Sequence, residues 1–328
     1  MKILLTRRLH DFAIKELRKR YQVEIHTGKI PMSKNLLISK IRDKDGLICY
    51  PYDKVDADVI SAGVNLKAIS TFSVGYDHVD INAVTQRGIV VSYTPEVLTR
   101  ATADLSVALM LDLFRKVNEG DKMIRDGRWK TILGPYEFLG SDLHGKTLGI
   151  FGMGRIGMAV AKRALGFEMK ILYHNRKRIS SHKEKSLYAK YVSLDELFRR
   201  SDVVSIHAPH TPKTHEMINL RLLKKMKKTS FLVNTARGKI INEKDLIIAL
   251  KRKIISGAAL DVFGREPIDK SNPLTKLSNV VITPHIGSAT VETRRKMAEI
   301  AIQNLILSLS GKKPIYQVRV GSSRLDRP

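Results

Sequence analysis

Three short segments carry side chains whose types suit carbonyl chemistry. They are Asn234-Thr235-Ala236-Arg237-Gly238, Asp261-Val262-Phe263-Gly264-Arg265-Glu266-Pro267 and Thr283-Pro284-His285-Ile286-Gly287-Ser288. A guanidinium can hold a carboxylate through paired N–H donors and polarise the ketone beside it. An imidazolium can donate a proton to the ketone oxygen as hydride arrives at carbon. A carboxylate beside that imidazole favours its charged form and fixes its orientation. Arg237, Glu266 and His285 together therefore suit the reduction of a 2-oxo acid. Each has a plainer reading taken alone: Arg237 as a surface charge after a strand, Glu266-Pro267 as the start of a turn, His285 as a satisfied loop histidine. Their joint occurrence behind a dinucleotide-binding turn favours the chemical reading.

That turn is Gly152-Met153-Gly154-Arg155-Ile156-Gly157. An apolar run over 146–151 precedes it, a helical pattern over 156–167 follows, and a second apolar run over 169–173 stands at the spacing of a βαβ unit. A lone GxGxxG is weak; in this context it reads as a pyrophosphate cradle rather than an ordinary glycine-rich turn. The first glycine permits the tight turn, the second lets backbone approach the pyrophosphate, and the third lets helix and strand pack closely. The helix N-terminus then offers N–H groups and a positive dipole end to the phosphates.

Further elements must hold these segments in place. Apolar runs over 2–6, 22–26, 46–50, 66–72 and 89–92 alternate with helical patterns over 10–20, 33–42, 57–62 and 81–87. One long helix is expected from 97 to 125, then a loop-like stretch over 127–145 with the single tryptophan, Trp129. Beyond the glycine turn, strands over 203–207, 230–234, 256–260 and 280–283 alternate with helices over 194–200, 220–227 and 243–251. A last helix spans about 289–309, and the polar, basic stretch from Pro314 reads as a loose tail. Strand–helix alternation of this kind predicts an α/β protein with parallel sheets. The reactive segments each end a predicted strand, where open α/β sheets place ligands.

With 328 residues and 43% hydrophobic content, two ordinary soluble domains are expected. No apolar run reaches membrane-spanning length, and the N-terminal run reads as a first strand rather than a signal peptide. A single cysteine, Cys49, forms no internal disulfide, which favours the cytoplasm. The net charge of +26 admits three readings: polyanion binding, attraction of anionic substrates, or a generally lysine-rich composition. Basic residues are spread along the chain, with no zinc spacing and no RNA-binding aromatic motif, so no specific nucleic-acid partner and no metal site are expected.

The choice of nicotinamide cofactor turns on Tyr173-His174-Asn175-Arg176-Lys177-Arg178. NAD enzymes place an acid at the end of the second strand to bind the ribose 2′-hydroxyl. Asn175 stands there instead and does not repel a 2′-phosphate. Arg176 and Arg178 can pair with that phosphate and Lys177 adds charge; a solvated basic turn is the plainer alternative. NADPH is the expected cofactor, with NADH possible.

Taken with Ser73-Val74-Gly75-Tyr76-Asp77-His78-Val79-Asp80, these motifs make the chain resemble the D-isomer-specific 2-hydroxyacid dehydrogenases over nearly its whole length. Within that family, 146–158 and 281–290 are most similar to bacterial glyoxylate/hydroxypyruvate reductases that also reduce 2-ketogluconate. The resemblance implies two parallel-sheet domains: a flavodoxin-like substrate-binding domain, 1–97 and 289–328, interrupted by a Rossmann-like NAD(P)-binding domain, 98–288. It implies that Arg237 binds and polarises the substrate, His285 is the acid and Glu266 its partner. Val74 and Gly75 would hold the substrate carboxylate through backbone N–H groups, as glycine permits close approach. Arg155 and Ile156 would lie along the pyrophosphate and Asp261 would face the nicotinamide carboxamide side, with Thr235 and Gly287 completing the cofactor contacts. It also implies a homodimer built by the helix after Pro95 and the Trp129 loop. Two departures touch the pocket: Arg100 stands where relatives usually carry an acid, and 132–140 differs from them. The competing functions are an NAD-linked dehydrogenase of phosphoglycerate or D-lactate type and a dinucleotide-sensing, corepressor-like binding protein. The basic turn argues against the first, as does the absence of a long regulatory extension; the basic charge keeps the second open.

Overall fold

The structure, a computed structural model, describes residues 1–28 and 30–318. It divides into two compact units, Met1–Leu98 with the chain from Ala289 onward, and Thr99–Ser288.

In the first unit, β1 (Lys2–Leu5), β2 (Gln22–Ile25), β3 (Gly46–Cys49), β4 (Ala68–Thr71) and β5 (Val90–Ser92) form a parallel sheet in the order β2-β1-β3-β4-β5. Every residue of β3 and β4 is buried, as expected of strands covered on both faces. The helix Val291–Leu309 covers one face: the Ser70 hydroxyl donates to the Ala301 carbonyl (2.9 Å), and Asn304 Nδ2 donates to the Tyr93 carbonyl (3.1 Å). A side chain larger than glycine at 46 would press on Leu305 and Leu309, so close helix–sheet contact selects that glycine. The expected loose tail is corrected over 314–318. There the Val318 N–H donates to Val91 (2.8 Å) and the Tyr93 N–H to Tyr316 (3.2 Å), extending the edge of β5. The remainder of that tail, 319–328, lies outside the described residues.

In the second unit, β6 (Thr147–Phe151), β7 (Lys170–His174), β8 (Ala189–Tyr191), β9 (Val203–Ile206), β10 (Phe231–Asn234), β11 (Gly257–Leu260) and β12 (Val280–Ile282) form a seven-stranded parallel sheet in the order β12-β11-β10-β9-β6-β7-β8. The order is doubly wound, with its switch point between β6 and β9. One hydrophobic cluster gathers Phe198, Leu222, Leu223 and Leu246, and another gathers Met110, Phe114, Val160 and Tyr173. The expected single helix over 97–125 is instead two, Thr99–Arg115 and Val117–Arg125. Between them Lys116 adopts a left-handed conformation (φ 55°), and the Asp112 carboxylate accepts the Asn118 N–H (2.7 Å), restarting the chain in a new direction. No helix among the described residues is long and apolar enough to cross a membrane.

Candidate active site

The glycine turn leaves β6 and enters the helix Arg155–Leu165. Gly152 has φ 102° and sits so close to the backbone of His207 and Ala208 that a Cβ would lie 2.4 Å from the Ala208 nitrogen. At Gly157 a Cβ would lie 2.3 Å from the Gly152 carbonyl oxygen. Around Gly154 nothing lies within 4 Å of a Cβ, and no side chain caps the helix that begins there. An uncapped helix N-terminus behind an open backbone suits a pyrophosphate, so the residues present fit a dinucleotide. Arg155 is exposed and Ile156 half-buried on the first turn.

At the end of β7, Asn175 folds back on this turn. Its Oδ1 accepts the Met153 N–H at 2.6 Å, and the side chain is buried. Arg176 and Lys177 are exposed. Arg178 has a partner in the chain: Nε and Nη2 both donate to Glu184, at 2.8 and 2.7 Å, and Glu184 also accepts the Tyr173 hydroxyl at 2.6 Å. Arg178 first and Tyr173 next draw the Glu184 carboxyl below its ordinary range. Of the three basic residues, Arg178 thus already has its carboxylate, because the short helix Ser181–Ser186, invisible to the sequence pattern, carries Glu184 under it.

The reactive segments follow β10, β11 and β12, neighbours in the sheet. After β10, Asn234 makes an Asx turn: Oδ1 accepts the Ala236 N–H (3.0 Å) and Nδ2 donates to the Arg237 carbonyl (3.0 Å). Thr235 is buried, its hydroxyl 2.8 Å from that of Ser106. Arg237 is half-buried and extended (φ −147°, ψ 134°). Gly238 lies against Phe263, where a Cβ would stand 1.9 Å from the carbonyl carbon. Only glycine lets the Arg237 turn pack against the segment carrying Glu266.

Glu266 bridges two segments. Its Oε1 accepts the Phe263 N–H (2.9 Å) and its Oε2 lies 2.6 Å from His285 Nδ1. His285 itself has φ 54°, a left-handed residue in the turn after β12. Asp261 holds that turn: the Thr283 hydroxyl (2.7 Å) and the Ile286 and Gly287 N–H groups (2.8 Å each) all donate to its carboxylate. Burial pushes the Asp261 carboxyl upward against the pull of these donors. Thr102 donates to the Gly287 carbonyl at 3.0 Å. Asp261, expected to face the nicotinamide carboxamide side, brackets His285 with these three bonds. Asn234, Thr102, Ser106 and Thr283 hold these turns through their side chains, a part the sequence reading did not assign them. A polar residue at a strand end, or two polar residues four apart on a buried helical face, was the available signal. His207, after β9, was also missed: its Nε2 lies 2.8 Å from the Ser205 hydroxyl, and burial lowers its pKa to about 3, so it stays neutral.

In the first unit, Val74 and Gly75 follow β4. The Ser73 hydroxyl donates to the Gly75 carbonyl, folding the loop, and no N–H of Val74 or Gly75 donates to another group among the described residues. Arg100 and much of 132–140 are exposed.

A doubly wound sheet with an open glycine turn defines a nicotinamide-dinucleotide-binding α/β protein. Residues 107–287 match the D-isomer specific 2-hydroxyacid dehydrogenase NAD binding domain. The chain is 47% identical over 314 residues to a glyoxylate reductase from Thermofilum pendens, covering 95% of this chain and 93% of that one. The TT0316 protein from Thermus thermophilus superposes with a TM-score of 0.90 at 46% identity, covering 97% of this chain and 100% of that one. An NADPH-dependent glyoxylate/hydroxypyruvate reductase from Sinorhizobium meliloti, in complex with NADP and malonate, gives 0.85 at 30% identity, covering 97% and 96%. The chain belongs to the D-isomer specific 2-hydroxyacid dehydrogenase family.

Proposed function

We propose that this protein uses NADPH to reduce a small 2-oxo acid, glyoxylate, hydroxypyruvate or 2-ketogluconate, to the D-2-hydroxy acid. The observation that carries the reading is the 2.6 Å contact between His285 Nδ1 and Glu266, beside the Arg237 turn, in a chain with glyoxylate reductases among its relatives. Arg237 pairs with the substrate carboxylate and polarises the ketone. The Val74 and Gly75 N–H groups take carboxylate oxygen. Glu266 engages Nδ1, so the proton for the ketone oxygen leaves from Nε2. The bound reduced nicotinamide supplies the hydride. Asp261 keeps the imidazole in place by holding the backbone after it. Loss of NADPH and NADH absorbance with the three oxo acids tests the reading; bound cofactor without turnover on any of them would sink it.

The NADPH preference rests on Asn175 with Arg176 and Lys177, and on the name of the Sinorhizobium meliloti relative. Asn175→Asp keeps an oxygen for the Met153 N–H, so the turn survives, but sets a carboxylate against the 2′-phosphate and offers NADH a ribose acceptor. We expect the NADPH-to-NADH ratio of kcat/KM to fall by about tenfold or more, ~1.4 kcal/mol. An unchanged ratio refutes the assignment.

A homodimer is the partner we infer. The helix Val117–Arg125 buries none of its residues, and with the loop after it leaves Ile124, Trp129, Ile132, Tyr136 and Leu139 exposed, Ile132 at 92%. So dense an apolar run on one segment marks a protein contact. Light scattering should give twice the chain mass, reduced to one by Ile132→Glu with Tyr136→Glu; a monomeric parent protein removes the dimer.

A further inference from the structure

The seven-stranded sheet has a second edge, where its strands begin, opposite the edge that carries the glycine turn and the reactive segments. The chain enters β9, β10 and β11 there, three neighbours in the sheet. A basic cluster precedes each of them: Arg199-Arg200, Lys224-Lys225-Met226-Lys227-Lys228 and Lys251-Arg252-Lys253. The clusters end or follow the helices Leu194–Arg200, Leu220–Leu223 and Glu243–Lys251. Those helices share one face of the sheet, where Phe198, Leu222 and Leu250 pack with Val204, Leu232 and Ala258. Backbone ties join the loops: the Phe231 N–H donates to the Asp202 carbonyl (3.0 Å) and the Ser256 N–H to the Ser230 carbonyl (2.9 Å). The Ser256 hydroxyl donates to the Lys228 carbonyl (3.1 Å). The three clusters therefore form one row. Packed helices stand 8–10 Å apart, so three of them spread the row over about 20 Å.

Positive charge in this row is largely unanswered. Arg200 pairs with Glu196, Lys225 with Asp195, and Lys227 with Asp202 at 2.7 Å. Arg199, Lys224, Lys228, Lys251, Arg252 and Lys253 are exposed and pair with no carboxylate among the described residues. A lysine-rich composition alone does not produce such a row. Around the amino edge of the five-stranded sheet, Lys2 faces Asp43 (2.9 Å), Lys67 faces Asp45 (2.9 Å) and Lys44 faces Glu24 (3.0 Å). Complementing helix dipoles accounts for Arg199, Arg200 and Lys251, which stand in last turns. It does not account for Lys227, Lys228 and Lys253, which lie past the helix ends.

We propose that this edge is a docking surface for the phosphate backbone of duplex DNA, bound irrespective of sequence. A row of exposed, mutually repelling cations gains free energy when a polyanion replaces its counter-ions and releases those condensed on the DNA. Single strands are held by aromatic side chains on which bases stack. The segments 199–202, 224–230 and 251–256 contain no aromatic residue, so the row favours a duplex, whose phosphates face outward. Backbone contacts of this kind carry no base information.

The test is fluorescence anisotropy with a labelled DNA duplex of about 20 base pairs, titrated with the full chain at several salt concentrations. If four or five of the six unpaired cations meet phosphates, log K should fall against log[salt] with a slope of about −4, and binding should weaken by about 10²–10³-fold between ~50 and ~200 mM salt. The triple variant Lys224→Gln, Lys228→Gln, Lys251→Gln should flatten that slope by about 2–3. A control triple, Lys15→Gln, Lys312→Gln, Lys313→Gln, removes the same charge from exposed lysines of the other unit and should leave the slope unchanged. An unaltered thermal melt shows that the first triple folds. No binding at ~50 mM salt overturns the proposal. So does equal weakening by both triples, which assigns the binding to net charge rather than to this edge. Tighter binding of a single strand of the same length, or of vesicles of anionic lipid, overturns duplex DNA as the partner.

Discussion

His285→Gln is expected to lower kcat by about 10²–10⁴-fold, the range for loss of a positioned general acid. The amide of glutamine can still donate to Glu266 but has no proton acidic enough to transfer. The substitution changes little else: residue 285 is a non-glycine at positive φ, so glutamine meets the same backbone cost as histidine. The Asp261 bonds to the Thr283 hydroxyl and to the Ile286 and Gly287 N–H groups do not involve the imidazole. The cradle at Gly152, Gly154 and Gly157 is formed by other segments. NADPH affinity, read by fluorescence titration, should therefore remain within about twofold while turnover collapses. A variant that turns over like the parent protein would remove His285 from the mechanism.

Arg237→Lys is expected to reduce kcat/KM by about 10²-fold, by loss of paired charge-assisted hydrogen bonds. An ammonium keeps the charge but not the planar fork. The parent guanidinium is partly oriented by a 2.8 Å bond from Nη1 to the Ala236 carbonyl, and its backbone by the Asn234 turn. A shorter, rotating head group loses that registration. On the proposed reading, in which the arginine both binds carboxylate and polarises the ketone, KM should rise and kcat should fall together. A KM increase with unchanged kcat would assign Arg237 to binding alone, and neither change would remove it from the site.

Strands were legible because parallel sheets bury both faces, so β3, β6, β9 and β10 read as mostly apolar runs. The pair of short elements over 181–191 was not. The strand Ala189–Tyr191 is only partly buried and the helix Ser181–Ser186 is one polar turn and a half, so neither leaves a period to detect. The break at Lys116 was hidden too: lysine favours helix, and only the Asp112 side chain and a left-handed backbone end it there.

The site divides in the same way. Residue types and local spacing specify the glycine cradle, because a turn between strand and helix is a contiguous, short-range object. They also specify that an arginine, a glutamate and a histidine each follow a strand. Which partner each side chain takes depends on groups far apart in sequence and was decided by the sheet order. Adjacent β10, β11 and β12 bring Gly238 against Phe263 and Glu266 against His285. Tertiary packing likewise gave Asp261 to the histidine turn and Arg178 to Glu184. A buried or half-buried charge takes the nearest donors or counter-ion the fold supplies, and sequence position alone does not say which those are.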